Sequence, residues 1–241
     1  MTYDWIATLI FVGSLVGMMR FFHWAAFKIP ALEEQRRLNR EQDERKLEDP
    51  EFKSWCDASR KTGTYMNLAF YAVVLPWCVN LDSRPLWRHV VDIAAILLVF
   101  DFMYYWTHRS LFHGKALLKV HSLHHRARKP TFIDAYYVHP LETAIGLGLF
   151  LFSIPTVAWA GGAPVHAFSA AVATLVFTEH NTINHVYTNL PHPPYRWLNY
   201  VTGVHAAHHV NMKQGNYATL TMLYDWVFGT YEKPVHRPSA G

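Results

Sequence analysis

The chain alternates between long apolar runs and shorter polar segments. Five runs are long enough, or nearly so, to cross a bilayer, which takes about 20 helical residues. They cover residues 5–27, 65–81, 86–106, 141–160 and 163–178. Only helices or closed barrels span membranes, and runs of this length favour helices. We therefore expect an all-α, multi-pass integral membrane bundle with four to five membrane helices.

Two connections between these runs are very short. Residues 82–85, which include Pro85, join the second run to the third, and Gly161 and Gly162 join the fourth to the fifth. Pro and Gly in such links favour tight turns between antiparallel helices. The third and fifth runs should therefore end on the same side of the membrane.

Histidines are concentrated after these two runs. The chain has 16 histidines, and four clusters stand out: His108 with His113, His121 with His124 and His125, His180 with His185, and His205 with His208 and His209. Residues i, i+3 and i+4 lie on one helix face, so each H-x-x-H-H motif should bring three imidazoles to one point. The i,i+5 pairs diverge by roughly 140° on a straight helix. Each such pair should lie at a helix end or serve two ions.

Ten imidazoles exceed the needs of one metal ion. A structural zinc takes four ligands, and a catalytic zinc takes three and a water molecule. Imidazole suits zinc, copper, iron and nickel. The clusters therefore predict a histidine-rich cap that holds two ions of higher coordination number. Carboxylates that orient the rings are expected nearby; the candidates are Asp101, Asp134, Glu142 and Asp225.

Basic residues mark the side of the membrane on which the histidines lie. Residues 108–130 contain six Lys or Arg and no acidic residue. By the positive-inside rule, this side is cytoplasmic. The formal net charge of +4 is not accompanied by any nucleic-acid motif, so we expect no nucleic-acid partner. The short loops favour a bacterial inner membrane over the endoplasmic reticulum.

The first quarter of the chain differs from the rest. Residues 33–61 mix acidic and basic side chains, which is typical of a solvated helix stabilised by i,i+4 charge pairs. We assign this helix no chemistry. We therefore divide the chain into residues 1–62, a membrane helix and a charged cytoplasmic helix, and residues 63–241, a membrane domain that carries the histidines.

The order of the motifs resembles the fatty acid hydroxylase/sterol desaturase superfamily of membrane di-iron oxygenases. The resemblance covers residues 101–231. It rests on seven elements in a fixed order: His108-x4-His113, His121-x2-His124-His125, His139-Pro140-Leu141-Glu142, His185 six residues before Pro191, His205-x2-His208-His209, Asn216-Tyr217 and the terminal element at residues 223–231. The chain departs from the family pattern at Ala218, where Gly usually follows Asn-Tyr, and at Trp226, where Arg is common.

The resemblance implies metal ligands at nine positions and an extra ligand, found in some members, at His180. The nine are His108, His113, His121, His124, His125, His185, His205, His208 and His209. It adds His139, Asn216 and Tyr217 to the candidate supporting residues. It also implies two iron ions, which zinc can replace in purified protein, together with O₂ and electrons from a carrier such as cytochrome b5 or a ferredoxin. The expected reaction is hydroxylation or desaturation of a C–H bond in a fatty acyl, sterol or related lipid.

Several alternatives stay open. Carotenoid hydroxylases have a similar histidine spacing, and residues 124–129 resemble theirs. A non-enzymatic haem protein would place histidines inside the apolar runs, and a metal transporter or sensor would place polar residues at mid-membrane. A zinc hydrolase is disfavoured because the chain has no H-E-x-x-H motif.

Overall fold

The computed structural model describes residues 2–190 and 192–235, and it is mostly helical. Its α-helices are α1 (Trp5–Ala26), α2 (Pro30–Leu47), α3 (Pro50–Val73), α4 (Leu75–Cys78), α5 (Leu86–Thr107), α6 (Leu118–His121), α7 (Pro140–Ala160), α8 (Ala167–Ile183), α9 (Arg196–His208) and α10 (Leu223–Val227). A short parallel bridge joins β1 (Val79–Asn80) to β2 (Val165–His166).

Three helical segments in the described part of the chain are long and apolar enough to cross a membrane. They are Trp5–Ala26, Leu86–Phe112 and Pro140–Ala160. The run at residues 65–81 instead forms the end of α3, whose first half is charged, together with α4 and β1. The run at residues 163–178 forms most of α8, which has 17 residues. A total of four to five spans therefore stays a prediction.

Helix α5 packs against both α7 and α8. Helix α1 packs against α8, and α3 packs against α7. Aromatic rings fill the central contact: Phe150 stacks on Phe177 with ring centroids 4.0 Å apart, and Phe100 meets both edge-on. Offset or edge-on ring pairs of this kind add to the stabilisation from buried area. The apolar core therefore lies along the helices, and the histidines lie beyond its end.

The two ends of the helices are chemically different. At one end, the backbone N–H of Asp4 before α1 donates to the carbonyl of Pro76 at 2.8 Å, and the β1–β2 bridge lies nearby in the fold. At the other end, His23 near the end of α1 meets Glu179 in the last turn of α8 at 3.1 Å. Helix α5 also ends there. Both histidine-rich segments therefore leave the helices at the same end, as the short links predict. The expected boundary at residues 62–63 lies inside α3.

A buried carboxylate holds the end opposite the histidines. Asp92 is 1% exposed and pairs with Arg84 at 2.8 Å and with Arg88 at 3.1 Å. Arg84 also donates to the carbonyl of Pro164 at 3.1 Å. These contacts connect the start of α5 to the turn between α7 and α8.

We expect Asp92→Asn to lower the melting temperature without changing the metal content. Removing one partner of a buried ion pair leaves its counter-charges uncompensated. A loss of about 2 kcal/mol would lower the melting temperature of a chain of this size by roughly 4–8 °C. Thermal unfolding in mild detergent measures the effect, with Asp82→Asn, an exposed neighbour, as the control. Equal melting temperatures in the two variants would contradict the stabilising role of the Asp92 ion pairs.

Candidate metal centre

Nine of the ten histidines named from the sequence form two groups. Group A contains His108, His113, His121, His125 and His208, and group B contains His124, His185, His205 and His209. Within each group, the possible ligand atoms all lie within 4.8 Å of one another. The rings of His125 in group A and His209 in group B stack with centroids 4.9 Å apart, so the groups are adjacent. His180 lies outside both.

A π turn brings His108 and His113 together. The end of α5 continues into a π turn at His108–Phe112, in which the N–H of His113 donates to the carbonyl of His108 at 2.9 Å. A π turn bonds residues five apart, where an α-helix bonds residues four apart. The divergence expected on a straight helix therefore does not apply, and the two ring centroids lie 5.0 Å apart.

Each H-x-x-H-H motif divides its histidines between the groups, which corrects the expectation that three imidazoles meet at one point. The first motif places positions i and i+4 in group A and position i+3 in group B; the second does the reverse. Neighbouring positions point about 100° apart around an α-helix, so i+3 and i+4 face different points. In the first motif, moreover, α6 ends at His121 and a 3-10 turn at His124–Arg126 follows.

Backbone carbonyls determine which ring nitrogen carries the hydrogen. The Nδ1 atoms of His108, His113 and His208 lie 2.7, 2.9 and 2.7 Å from the carbonyl oxygens of Tyr217, Met212 and Gly215. A carbonyl only accepts, so each Nδ1 donates. The Nε2 of a neutral ring then presents a lone pair. In group B, the Nδ1 of His185 donates in the same way to the carbonyl of Asn181 at 2.9 Å.

These lone pairs point at one another. The Nε2 atoms of His113 and His208 are 3.2 Å apart, although neither carries a hydrogen. Burial lowers the pKa of both rings, so protonation does not supply a donor near neutral pH. A cation that accepts both lone pairs makes the contact favourable. The donor set therefore fits a metal ion and does not fit a hydrogen-bonded polar core.

The spacing of the nitrogens also indicates the coordination geometry. Neighbouring Nε2 atoms lie 3.0–3.2 Å apart in group A and in group B. Two nitrogens about 2.1 Å from one ion are about 3.0 Å apart at a right angle and about 3.4 Å apart at a tetrahedral angle. The observed spacing is nearer to right angles, which suits five- or six-coordinate ions.

Glu142 contacts the metal-site histidines directly. Its Oε1 lies 2.8 Å from the Nδ1 of His121, and both side chains are buried. A carboxylate in this position holds the ring in place and makes its other nitrogen a better ligand. The second oxygen of Glu142 is buried and has no hydrogen-bond partner among the described residues.

Two further carboxylates, those of Asp225 and Asp101, bond the backbone of the segment that follows the second H-x-x-H-H motif. Asp225 accepts from the backbone N–H groups of Tyr217 and Ala218, each at 2.8 Å. Asn216 has a φ of 61°, a left-handed conformation that Asn tolerates better than most residues, and its side-chain amide donates to the carbonyl of Val204 at 3.1 Å. Because Tyr217 supplies the carbonyl for His108, these contacts act on group A through the backbone.

Asp101 bonds the backbone of the same segment at residues 219–221. Its carboxylate accepts from the N–H groups of Thr219, Leu220 and Thr221 at 2.9–3.1 Å. A buried carboxylate with several backbone donors is well compensated. It ties α5 to the segment that follows α9.

The other two proposed supporting residues have different contacts. Asp134 forms an ion pair with Lys46 of α2 and accepts from the backbone N–H of Thr131 at 2.6 Å. The Nδ1 of His139 accepts from the N–H of Leu141 at 3.1 Å and so caps the start of α7. These contacts shape the backbone around the histidines.

Helix α2 is a functional element that the sequence reading missed. Gln35, Asn39 and Asp43 recur every four residues and form a buried polar face on a helix expected to be solvated. Asn39 bonds both backbone polar groups of Tyr187, at 2.9 Å each, and Gln35 accepts from the N–H of Asn189 at 3.1 Å. The loop after His185 is therefore held by α2. Uncharged amides at four-residue spacing within a charged helix were the available signal.

The same face of α2 holds the loop after His125. Asp43 accepts from the hydroxyl of Thr131 at 2.6 Å and from the N–H of Ile133 at 3.2 Å. One helix thus positions both loops next to the histidines. The sequence reading, which assigned α2 no chemistry, overlooked this positioning role.

Comparison with known proteins assigns the chain to a family. The fatty acid hydroxylase model matches residues 93–230, more than half of the 241-residue chain. The chain belongs to the fatty acid hydroxylase family. The resemblance found in the sequence is thereby confirmed. No solved structure matches the chain significantly.

Relatives of this fatty acid hydroxylase family member include plant and animal proteins. A very-long-chain aldehyde decarbonylase of Oryza sativa subsp. indica is 29% identical over 75% of this chain and 30% of its own length. Methylsterol monooxygenase 1 of Rattus norvegicus is 28% identical over 70% of this chain and 55% of its own length. A second rice decarbonylase is 34% identical over 62% and 56%. The chain spans about half the length, or less, of these relatives.

We expect Asn39→Ala to lower the amount of bound metal. The substitution removes both hydrogen bonds between the Asn39 side chain and the backbone of Tyr187, each worth on the order of 0.5–1.5 kcal/mol, and so loosens the attachment of the loop after His185 to α2. Because group A does not include that loop, the metal content should fall towards half. Metal analysis of purified protein measures this, with Arg40→Ala, an exposed neighbour on α2, as the control. Equal metal contents in both variants would contradict the positioning role.

Metal-free protein should lose stability as the pH falls from 7.5 to 5.5. Burial, with repulsion from neighbouring histidines, holds the pKa values of His205, His208 and His209 well below 6.5, and lowers that of His124 to about 3. Below pH 6.5 the unfolded chain therefore binds protons that the folded chain does not. Each such ring removes up to about 1.4 kcal/mol of stability per pH unit.

Melting temperatures of chelator-treated protein across this pH range test the expectation. Metal-loaded protein should depend on pH less steeply at first, and then release metal as protons compete for the ligands. A melting temperature of the metal-free protein that is independent of pH would show that the histidines are not buried as described.

Proposed function

We propose that the protein is a membrane di-iron oxygenase that hydroxylates a C–H bond of a lipid, with desaturation as the alternative outcome. The observation that carries the proposal is the convergence of nine imidazoles, each with a possible ligand nitrogen, in two adjacent groups. Family membership and relatives named as a methylsterol monooxygenase and aldehyde decarbonylases support a lipid-modifying oxygenase. Group A and group B would each hold one iron ion.

The choice of iron rests on the ligand number and geometry. Structural zinc sites are almost always tetrahedral with four ligands, whereas group A offers five imidazoles at spacings near those of right angles. Imidazole also suits iron. Iron at these positions would supply reductive activation of O₂ for attack on an unactivated C–H bond. The hydroxylation balances as lipid-H, O₂, two electrons and two protons giving lipid-OH and water.

The side chains of the protein bind, orient and shield this centre. Carbonyl oxygens of Tyr217, Met212 and Gly215 keep three group A rings in the tautomer that ligates through Nε2. Glu142 bonds the Nδ1 of His121 and so orients this ring for ligation through Nε2. Both H-x-x-H-H motifs contribute to both groups, so a shift of either motif changes the two sites together.

The surroundings of the two histidine groups suggest a class of substrate and a class of electron carrier. Helices long and apolar enough for a membrane end at the site, so a lipid in the bilayer reaches it without crossing water. Exposed basic residues, namely Lys115, Lys119, Arg128 and Lys129, lie on the loops that carry the first histidines. This charge suits an acidic carrier such as a cytochrome b5 or a ferredoxin. The positive-inside rule places this face in the cytoplasm, and we favour a bacterial inner membrane.

We expect about two iron ions per chain in protein purified in mild detergent, and loss of iron on single changes in either group. His208→Ala tests group A, His205→Ala tests group B, and His192→Ala, an exposed histidine outside both groups, is the matched control. Activity is measured as ¹⁸O from ¹⁸O₂ in lipid products, with a reduced ferredoxin or cytochrome b5 as donor. It should fall at least tenfold in both site variants.

Two zinc ions in place of iron would indicate substitution during expression, and anaerobic reconstitution with Fe²⁺ should then restore ¹⁸O incorporation. Less than one metal ion per folded chain, or equal metal contents in the site variants and the control, would overturn the di-iron proposal. Products that contain no ¹⁸O, made by fully iron-loaded protein, would overturn hydroxylation and leave desaturation to be tested by product mass.

A further inference from the structure

Tyr105, near the end of α5, is a fully buried tyrosine whose hydroxyl belongs to a chain of hydrogen bonds. Arg109 donates to the Oη of Tyr105 at 2.8 Å, and the Oγ1 of Thr230 lies 3.1 Å from the same oxygen. The Oγ1 of Thr230 in turn lies 2.7 Å from the Oδ1 of Asp225. None of these four side chains belongs to group A or group B.

The chemistry of the groups determines the direction of each hydrogen bond in this chain. Two backbone N–H groups and the Thr230 hydroxyl point at the oxygens of Asp225, which is the pattern of an ionised carboxylate. An ionised carboxylate only accepts, so Thr230 donates its single hydrogen to Asp225. The lone pairs of Thr230 then accept from Tyr105. The phenol hydrogen of Tyr105 is therefore directed along a path that ends on a buried carboxylate.

This path suits a tyrosine that undergoes oxidation. A phenol that loses an electron becomes a strong acid and releases its proton. Two short proton shifts, from Tyr105 to Thr230 and from Thr230 to Asp225, deliver the proton to the carboxylate. Burial raises the pKa of Asp225, and a carboxylate with a raised pKa is a better proton acceptor than an exposed one. The proton therefore does not have to cross the apolar core.

Aromatic rings connect Tyr105 to group A. The ring centroid of Tyr217 lies 6.2 Å from that of Tyr105 and 5.0 Å from that of His113. It also lies 5.8 Å from that of His108 and 5.9 Å from that of His208. Electron transfer through a protein weakens steeply with distance, so closely spaced rings provide a favourable route. An electron from Tyr105 can therefore reach a metal ion held by group A.

Other rings connect Tyr105 to the surface. Trp106 lies 5.5 Å from it, and Phe228 stacks on it at 5.2 Å, measured between ring centroids. Trp106 is 39% exposed and Phe228 is 38% exposed. The guanidinium of Arg109 lies 5.9 Å from the Tyr105 centroid and 5.8 Å from the Trp106 centroid. This cation opposes a second positive charge on either ring, so it favours release of the phenol proton on oxidation.

The neighbouring Tyr104 lacks such a path although it also lies next to group A. Its ring centroid is 5.1 Å from that of His108. Within residues 2–190 and 192–235, its hydroxyl forms no hydrogen bond. Oxidation of Tyr104 would leave its proton without an acceptor. Tyr104 is therefore a matched control for Tyr105.

We propose that Tyr105 is a redox-active tyrosine that gives one electron to the metal at group A when lipid does not consume an oxidising equivalent there. The O–H bond of Tyr105 breaks, the metal gains one electron, and Asp225 gains a proton through Thr230, which leaves a neutral tyrosyl radical. A one-electron reductant at the surface, such as ascorbate or the reduced electron carrier, restores Tyr105, and the proton returns from Asp225. The inference rests on the proposed oxygenase function and adds a protective role to it.

Electron paramagnetic resonance tests the proposal on the full, iron-loaded chain in mild detergent. Reduced protein is mixed with O₂ in the absence of lipid and frozen at successive times. We expect a tyrosyl radical signal, which ring-deuterated tyrosine should narrow. Tyr105→Phe should abolish the signal, whereas Tyr104→Phe should retain it. The iron content should be equal in the three proteins, which shows that the metal centre has formed in each.

The proton path has its own test at Thr230. Thr230→Val keeps the shape of the side chain and removes the proton acceptor, so the radical yield should fall at least about tenfold with Tyr105 still present. Thr230→Ser restores the hydroxyl and should restore the yield. A valine variant that forms as much radical as the original protein would show that this path does not carry the proton.

A second measurement needs no redox-active metal. A ruthenium photo-oxidant is attached to Val227→Cys in zinc-loaded protein. Position 227 is 65% exposed and adjoins Phe228, whereas the native Cys56 and Cys78 are buried, so labelling is selective. Flash oxidation should produce a tyrosyl radical, and the additional change Tyr105→Phe should remove it.

The outcomes separate this proposal from the oxygenase function. No tyrosyl radical in either measurement, or a radical that persists in Tyr105→Phe, would overturn the redox role of Tyr105. A radical in the zinc-loaded protein alone, when the iron-loaded protein incorporates ¹⁸O into lipid, would overturn electron transfer from Tyr105 to group A. Failure of the oxygenase proposal appears instead as missing iron or missing ¹⁸O, and the flash measurement then still decides whether Tyr105 is oxidised.

Discussion

The structure depends on one electrostatic constraint: buried imidazole lone pairs that face each other at about 3 Å. Hydrogen bonds from Nδ1 to backbone carbonyls determine the tautomer of His108, His113, His185 and His208. Once those hydrogens are placed, the Nε2 atoms can no longer donate to each other. Burial lowers the pKa of His113 and of His208, so added protons do not resolve the repulsion between these two rings near neutral pH. A cation resolves it, and folding and metal binding are therefore thermodynamically coupled.

The rest of the fold holds the backbone that supplies those carbonyls. Asp101 and Asp225 order the segment that carries the carbonyl of Tyr217, and Glu142 orients His121 from the first turn of α7. Helix α2 holds the loops after His125 and His185. These contacts are made by buried polar side chains whose own hydrogen-bonding capacity is mostly satisfied, so each one has a defined geometry. Apolar helix packing alone does not provide such directional control, because burial of apolar surface is not directional.

The two groups are unequal, and their inequality has a structural origin. The first H-x-x-H-H motif gives two histidines to group A and one to group B, and the second gives one to group A and two to group B. Of the remaining three histidines, the two joined by the π turn belong to group A, and the one before the loop held by α2 belongs to group B. Group B is left with four imidazoles.

The sequence by itself determined the elements with strong local signals. These are the apolar runs, the short links that return the chain to the same end, the ten clustered histidines, nine of which the structure brings together, and the family. Tertiary structure decided which histidine joins which group, because ring direction depends on local backbone geometry: a π turn after α5, the end of α6 at His121, and angles of about 100° between neighbouring helix positions. It also decided the roles of α2 and the position of His180. A buried polar face on a charged helix has no hydrophobic period to reveal it, and a histidine five residues from a clustered one joins it only where the backbone departs from a straight helix.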